Sequence, residues 1–173
     1  WLLSLGANVI GYSVGHPTNP SSFQVLNLEN KLEHITGDIN DLDHLRQVFS
    51  HYSPDMVFHL AAQAITRLSY DTPQETFYTN MIGTVNVLEC IRYSKSVKAA
   101  VIITSDKCYQ NVEWVWGYRE DDKLGGDDPY SASKACAEIA CHSYVKSFFS
   151  KDDSPRISTA RAGNVMGGGD WAI

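Results

Sequence analysis

The chain has 173 residues, a formal net charge of −6 and a pI near 5.4, a length that supports one domain with a substantial core. The acidic balance and the lack of a basic stripe argue against nucleic acid as a partner. No apolar run approaches the ~20 residues of a membrane span, and the start has no basic n-region, so the cytoplasm is the expected compartment.

Trp1–Gly6 reads as the last turns of a helix closed by a glycine, and Ala7–Tyr12 as a short strand. Ser13–Leu32 is turn-rich and reads as a loop. Glu33–Thr36 is a strand candidate with Gly37-Asp38-Ile39 at its polar end. Asp41 caps a helical pattern that runs through Phe49. Asp55–Ala62 reads as a buried strand and turn. Pro73–Ser94 reads as one long helix, with apolar positions at Phe77, Met81, Val85, Leu88 and Ile91. Ala99–Thr104 is a continuous apolar strand, as expected when both faces are covered. A helix from Tyr130 to Phe149 follows, then a last strand over Arg156–Ala162 that leads into a glycine-rich segment. Strands alternating with helices in this way predict an α/β fold, a doubly wound, Rossmann-like parallel sheet. A chain that begins within a helix is expected to lack the first strand and glycine turn of such a sheet.

Cys90, Cys108, Cys136 and Cys141 show no C-x-x-C spacing, and the histidines show no H-x-x-x-H. Neither a metal site nor a disulfide framework is expected.

The strongest chemical signal is Asp128-Pro129-Tyr130-Ser131-Ala132-Ser133-Lys134. Proline favours the first turn of a helix and aspartate caps it. The four-residue spacing places Tyr130 and Lys134 on one face. A phenol with a pKa of about 10 is a poor base at neutral pH, and a nearby ammonium favours the phenolate. The spacing by itself is a weak signal; its weight comes from Leu60-Ala61-Ala62-Gln63 and Thr104-Ser105-Asp106-Lys107, polar residues at the carboxyl ends of strands, where ligands bind in such sheets.

Together these motifs resemble the extended short-chain dehydrogenase/reductase family. The resemblance implies NAD as cofactor, with Asp38 and Ile39 at the adenine, Leu60, Ala61, Ala62 and Gln63 running beside the cofactor, Tyr130 and Lys134 at the reacting end, and Asn80 supporting nearby backbone. The family places an acidic residue for the ribose where this chain has Gly11-Tyr12-Ser13-Val14, and Ser13 is a weak substitute. No arginine pair suits a 2′-phosphate, which favours NAD over NADP.

Thr104 and Ser105 stand where the family orients the reacting oxygen. Nucleotide-sugar 4,6-dehydratases add an acid and a base directly after it, a place held here by Asp106 and Lys107; the plain alternative is a surface ion pair. Lysine at 107, where relatives commonly have glutamate, resembles the branch of that family that takes CDP-glucose, as do Asn111–Glu120, Gln63–Tyr70 and Arg161–Ala172. The resemblance implies dehydration of CDP-glucose in deoxysugar and lipopolysaccharide O-antigen biosynthesis. Asn164 would contact the nucleotide sugar, with Gly167, Gly168 and Gly169 allowing close backbone approach. It further implies a homodimer through the helices at 73–94 and 130–149. It also implies that residues 1–173 form a partial NAD-binding domain, incomplete at both ends and lacking a smaller substrate domain. Another nucleotide-sugar 4,6-dehydratase, a 4-epimerase and a non-catalytic NAD-binding module are the competing readings.

Overall fold

The strands are four or five residues long and each runs parallel to its neighbour. The computed structural model describes residues 1–16 and 18–167. Strands β1 (Ile10–Ser13) and β2 (Glu33–Thr36) form one parallel pair, from Ile10 opposite Glu33 to Ser13 opposite Thr36. Strands β3 (Met56–His59), β4 (Ala99–Ile103) and β5 (Arg156–Ala160) form a second parallel sheet in that order. Parallel strands need crossover connections, and helices supply them. The result is the Rossmann-like α/β architecture that the alternation predicts. Among the described residues the two sheets share no hydrogen-bonded strand pair.

The first sheet is tied to the rest through side chains. Tyr12 of β1 and Ile39, just beyond β2, join a cluster with Leu45, Leu88, Ile91, Ala100, Ile102 and Cys141. Ile39 lies so close to Gly83 that a β-carbon there would overlap it. Gly37 is constrained in the same way by the Tyr12 ring. No helix among the described residues is long and apolar enough to cross a membrane.

Several elements begin where local signals place them. Helix α2 (Leu42–Tyr52) starts at Asp41, whose side chain accepts from His44 N at 3.0 Å. Helix α6 (Pro129–Phe148) has Pro129 in its first turn and Asp128 as its cap. The opening residues form a single 3-10 turn, Leu3–Leu5, closed by Gly6 at φ 82°, and β1 begins later than the reading from Ala7.

Two expectations are corrected. The segment expected to be a loop, Ser13–Leu32, contains helix α1 (Ser22–Val25) and a 3-10 turn at Leu28–Asn30. Helix α1 is held by a capping box in which Ser21 Oγ accepts from Gln24 N and Gln24 Oε1 accepts from Ser21 N. The long helix expected over Pro73–Ser94 is three pieces: α4 (Pro73–Phe77), a π-helical turn (Tyr78–Ile82) and α5 (Gly83–Tyr93). A short helix precedes them, α3 (Thr66–Asp71). The π turn carries Asn80, whose side chain is drawn into bonds outside the helix, as described below.

Candidate active site

Where β4 ends, the chain continues beside β5: Thr104 N donates to Ala160 O at 2.9 Å and Asp106 N to Ala162 O at 3.0 Å. Ser105 leaves the strand in an extended conformation and caps a 3-10 turn, Asp106–Cys108, by accepting from Lys107 N at 3.2 Å. The same hydroxyl donates to Asp106 Oδ1 at 3.1 Å. Asp106 Oδ1 and Lys107 Nζ form an ion pair at 3.8 Å, with side chains 51% and 46% exposed. The pair foreseen as a plain alternative is therefore present, and both of its members line the cleft described next.

Helix α6 brings its first two turns against this segment. Asp128 accepts from Ser131 N at 3.0 Å and from Ser131 Oγ at 2.5 Å. Tyr130 N, one of the amides that a helix start leaves without an intrahelical partner, donates to Ser69 Oγ of α3 at 3.2 Å. Tyr130 and Lys134 are 9% and 6% exposed. Lys134 Nζ donates to Ile103 O at 3.3 Å. Burial holds the Lys134 pKa below its ordinary value.

Tyr130, Lys134, Thr104, Ser105, Asp106 and Lys107 line one cleft of ≈ 460 Å³, together with Leu60, Ala62, Gly163 and Asn164. Four stretches distant in sequence meet there because parallel strands put their carboxyl ends on one edge. A larger hollow of ≈ 670 Å³ is lined by Arg46, Cys90 and Lys95. It lies where α2 and α5 end and the chain turns toward β3 and β4, at the opposite edge of the sheet from the strand-end residues.

Asp38, Ile39, Ala61 and Gln63 lie outside the cleft lining. Asp38 Oδ1 accepts from Asn40 N at 2.8 Å, and its carbonyl accepts from Tyr12 at 3.0 Å. The Ile39 side chain, 6% exposed, belongs to the core, which leaves only its backbone to meet a ligand. Gln63 acts as a turn pin: its Nε2 donates to Thr76 Oγ1 at 2.9 Å and its Oε1 accepts from Ile65 N at 2.6 Å. Ser13 Oγ is bonded to His34 Nε2 at 2.9 Å. Asn164 and Gly167 are exposed; Gly168, Gly169, Asp170, Trp171 and Ala172 lie outside the described residues.

Asn80, 1% exposed, has the supporting place expected of it. It accepts from Gln63 N at 2.8 Å and donates to Gln63 O at 3.0 Å and Ser133 Oγ at 2.9 Å. Sequence reasoning missed three contributors: Ser69, His59 and Glu138. Glu138 follows Lys134 by the same four-residue step that separates Lys134 from Tyr130, a signal that was available. His59, 5% exposed, lies at 2.9 Å from Thr84 Oγ1. That hydroxyl gives its hydrogen to Asn80 O at 2.7 Å, so His59 Nε2 carries the proton in this bond. Burial, and secondarily Lys134, push the His59 pKa down to about 4.

A family model described as GDP-mannose 4,6 dehydratase matches residues 1–151. The chain is 48% identical to a CDP-glucose 4,6-dehydratase from Salmonella typhimurium, over 99% of this chain and 49% of that protein. It thus spans about half the length of that curated relative. Among solved structures it is similar to a UDP-glucose 4-epimerase from Thermus thermophilus in complex with NAD, at 25% identity and TM-score 0.76, covering 92% of this chain and 48% of that one. A dTDP-glucose 4,6-dehydratase double mutant from Streptomyces venezuelae, with NAD bound, shares the fold at 21% identity and TM-score 0.78, covering 92% and 49%.

Proposed function

Since the chain belongs to the GDP-mannose 4,6 dehydratase family, we propose that this protein is an NAD-dependent dehydratase that converts CDP-glucose to CDP-4-keto-6-deoxyglucose and water. The observation that carries the reading is that Asp106 and Lys107 share one cleft with Ser105, Tyr130 and Lys134. The 48% identity to a CDP-glucose 4,6-dehydratase supports the choice of substrate.

The cleft suits a nicotinamide nucleotide. An ammonium has three N–H donors, and Lys134 commits one to Ile103 O, leaving others for ribose hydroxyls in a cleft that also holds Tyr130. NAD, when bound, would accept the hydride from C4 and return it at C6. Tyr130 takes the O4 proton while Ser105 orients that oxygen. The C4 ketone acidifies the C5 proton; Lys107 removes it and Asp106 protonates the departing C6 hydroxyl. Those roles need Lys107 neutral and Asp106 protonated, which is the observed ion pair after transfer of one proton between its members. Elimination then regenerates the ion pair, and Lys107 returns its proton to C5 as the hydride reaches C6.

An epimerase requires no acid/base pair beyond Tyr130, so Asp106 and Lys107 would have no task in its cleft. The same reading includes the cytoplasm, a role in lipopolysaccharide sugar biosynthesis, and a homodimer through the helical stretches 73–94 and 130–149, which expose Tyr78, Tyr93, Ile139 and Phe148. Incubating the full-length gene product with CDP-glucose tests the central claim. A 4-keto-6-deoxy product is expected; a C4-inverted sugar, or no reaction, would overturn it.

A further inference from the structure

We propose that Arg161, held by Glu138, is a positioning residue for the Asp106–Lys107 pair and so for the elimination half of the reaction. This rests on the reading above and adds a residue to it. Glu138 lies on the α6 face that carries Tyr130 and Lys134, one turn further along, and is 4% exposed. Its carboxylate accepts from Thr104 Oγ1 at the end of β4, from Thr159 Oγ1 of β5 at 3.1 Å and from Arg161 Nη2 at 2.9 Å. One buried carboxylate thus gathers the catalytic helix and both strand ends.

Arg161 passes the hold onward. Its Nη1 donates to Tyr109 Oη at 2.9 Å and to Glu120 O at 2.8 Å, and its guanidinium lies 4.8 Å from the centre of the Tyr109 ring. Tyr109 opens a hairpin: it bridges Leu124, Gln110 N donates to Lys123 O at 2.9 Å, and Gly125 N to Cys108 O at 2.8 Å. Asp106 and Lys107 therefore lie between two anchors, Thr104 on Glu138 and Tyr109 on Arg161. Tyr130 and Lys134 have further anchors that Arg161 does not touch, in Asp128, Ser69 and Ile103 O.

A planar guanidinium can serve the carboxylate, the phenol and the carbonyl at once, whereas a lysine is a point charge. Arg161→Lys keeps the charge that Glu138 needs and gives up the hairpin. In the full-length gene product we expect R161K to retain the rate of C4 oxidation within about twofold. Dehydration should fall by about tenfold to a hundredfold, with reduced cofactor accumulating during turnover, because misplacing reacting groups by about 1 Å costs up to about a hundredfold. Equal slowing of both halves, or unchanged dehydration, overturns the role in elimination. Hydrogen exchange gives a readout independent of the substrate: the Gln110 and Gly125 amides should lose protection while those of α6 keep it. Unchanged protection overturns the anchor itself. Wild-type protein inert toward CDP-glucose, with these amides exposed by R161K, would sink the substrate reading and leave the anchor standing. If R161K does not fold, Tyr109→Phe, which deletes one hydroxyl at the hairpin, carries the same two readouts.

Discussion

Asn80 and Ser133, 53 residues apart in sequence, are joined by a 2.9 Å hydrogen bond in the interior. Ser133 Oγ in turn donates to Tyr130 O at 2.7 Å. The π turn, the Gln63 turn after β3 and the first turn of α6 are therefore fastened by one carboxamide. Replacing Asn80 with Ala strands the half-buried Gln63 amide and carbonyl, at about 1–3 kcal/mol for each such group. We expect N80A to lose about 3 kcal/mol in urea unfolding of the full-length protein, and S133A about 1 kcal/mol. Wild-type stability for N80A would contradict this account.

Tyr130→Phe removes a single hydroxyl from a residue whose backbone N and O are held by Ser69 and Ser133. Folding and NAD affinity should stay near wild type, while C4 oxidation falls by at least about a hundredfold, the order contributed by a positioned acid or base. Single-turnover reduction of bound cofactor by CDP-glucose measures the step, and a near-normal rate would remove Tyr130 from its role.

Lys107→Met leaves Ser105, Tyr130 and Lys134 in place. Oxidation should proceed, elimination should drop by at least about a hundredfold, and reduced cofactor should persist. The discriminating measurement is incorporation of solvent deuterium at C5. Exchange in K107M as fast as in wild type would identify some other group as the base.

His59 predicts an acid sensitivity with a definite sign. In the unfolded chain it binds a proton below its ordinary value of about 6.5; in the folded chain it does so only near 4. Between those values the unfolded state binds more protons, so stability falls as pH drops, and the loss is complete below about 4. The shift corresponds to about 3 kcal/mol between pH 7 and pH 4. Urea midpoints across that range should fall less steeply in His59→Asn than in wild type; parallel curves would assign the acid sensitivity elsewhere.

Much of the scaffold was legible because its causes are local. Asp41 reaches an amide three residues on, Asp128 does the same for α6, and the apolar run at β4 needs no distant partner to be read as a strand. Ser21 and Gln24 obey an equally local rule, so α1 was legible too; turn-forming neighbours obscured it. That Ser105, Asp106, Lys107, Tyr130 and Lys134 would meet was likewise expected from their places at a strand end and a helix start, and they line one cleft. Only the tertiary structure decided what those residues touch. The π turn exists in a stretch with helical periodicity throughout, and Asn80 there is engaged by Gln63 and Ser133, which local pattern does not report. Asp38 and Ile39 have the sequence of a ligand turn, yet Ile39 is spent on the core against Gly83. Glu138 and Arg161, 23 residues apart, meet because β5 runs parallel beside β4 under α6. An i-to-i+4 preference is encoded where the residues stand, whereas a contact across strands depends on the register of the whole sheet, and that register is set only when the chain has folded.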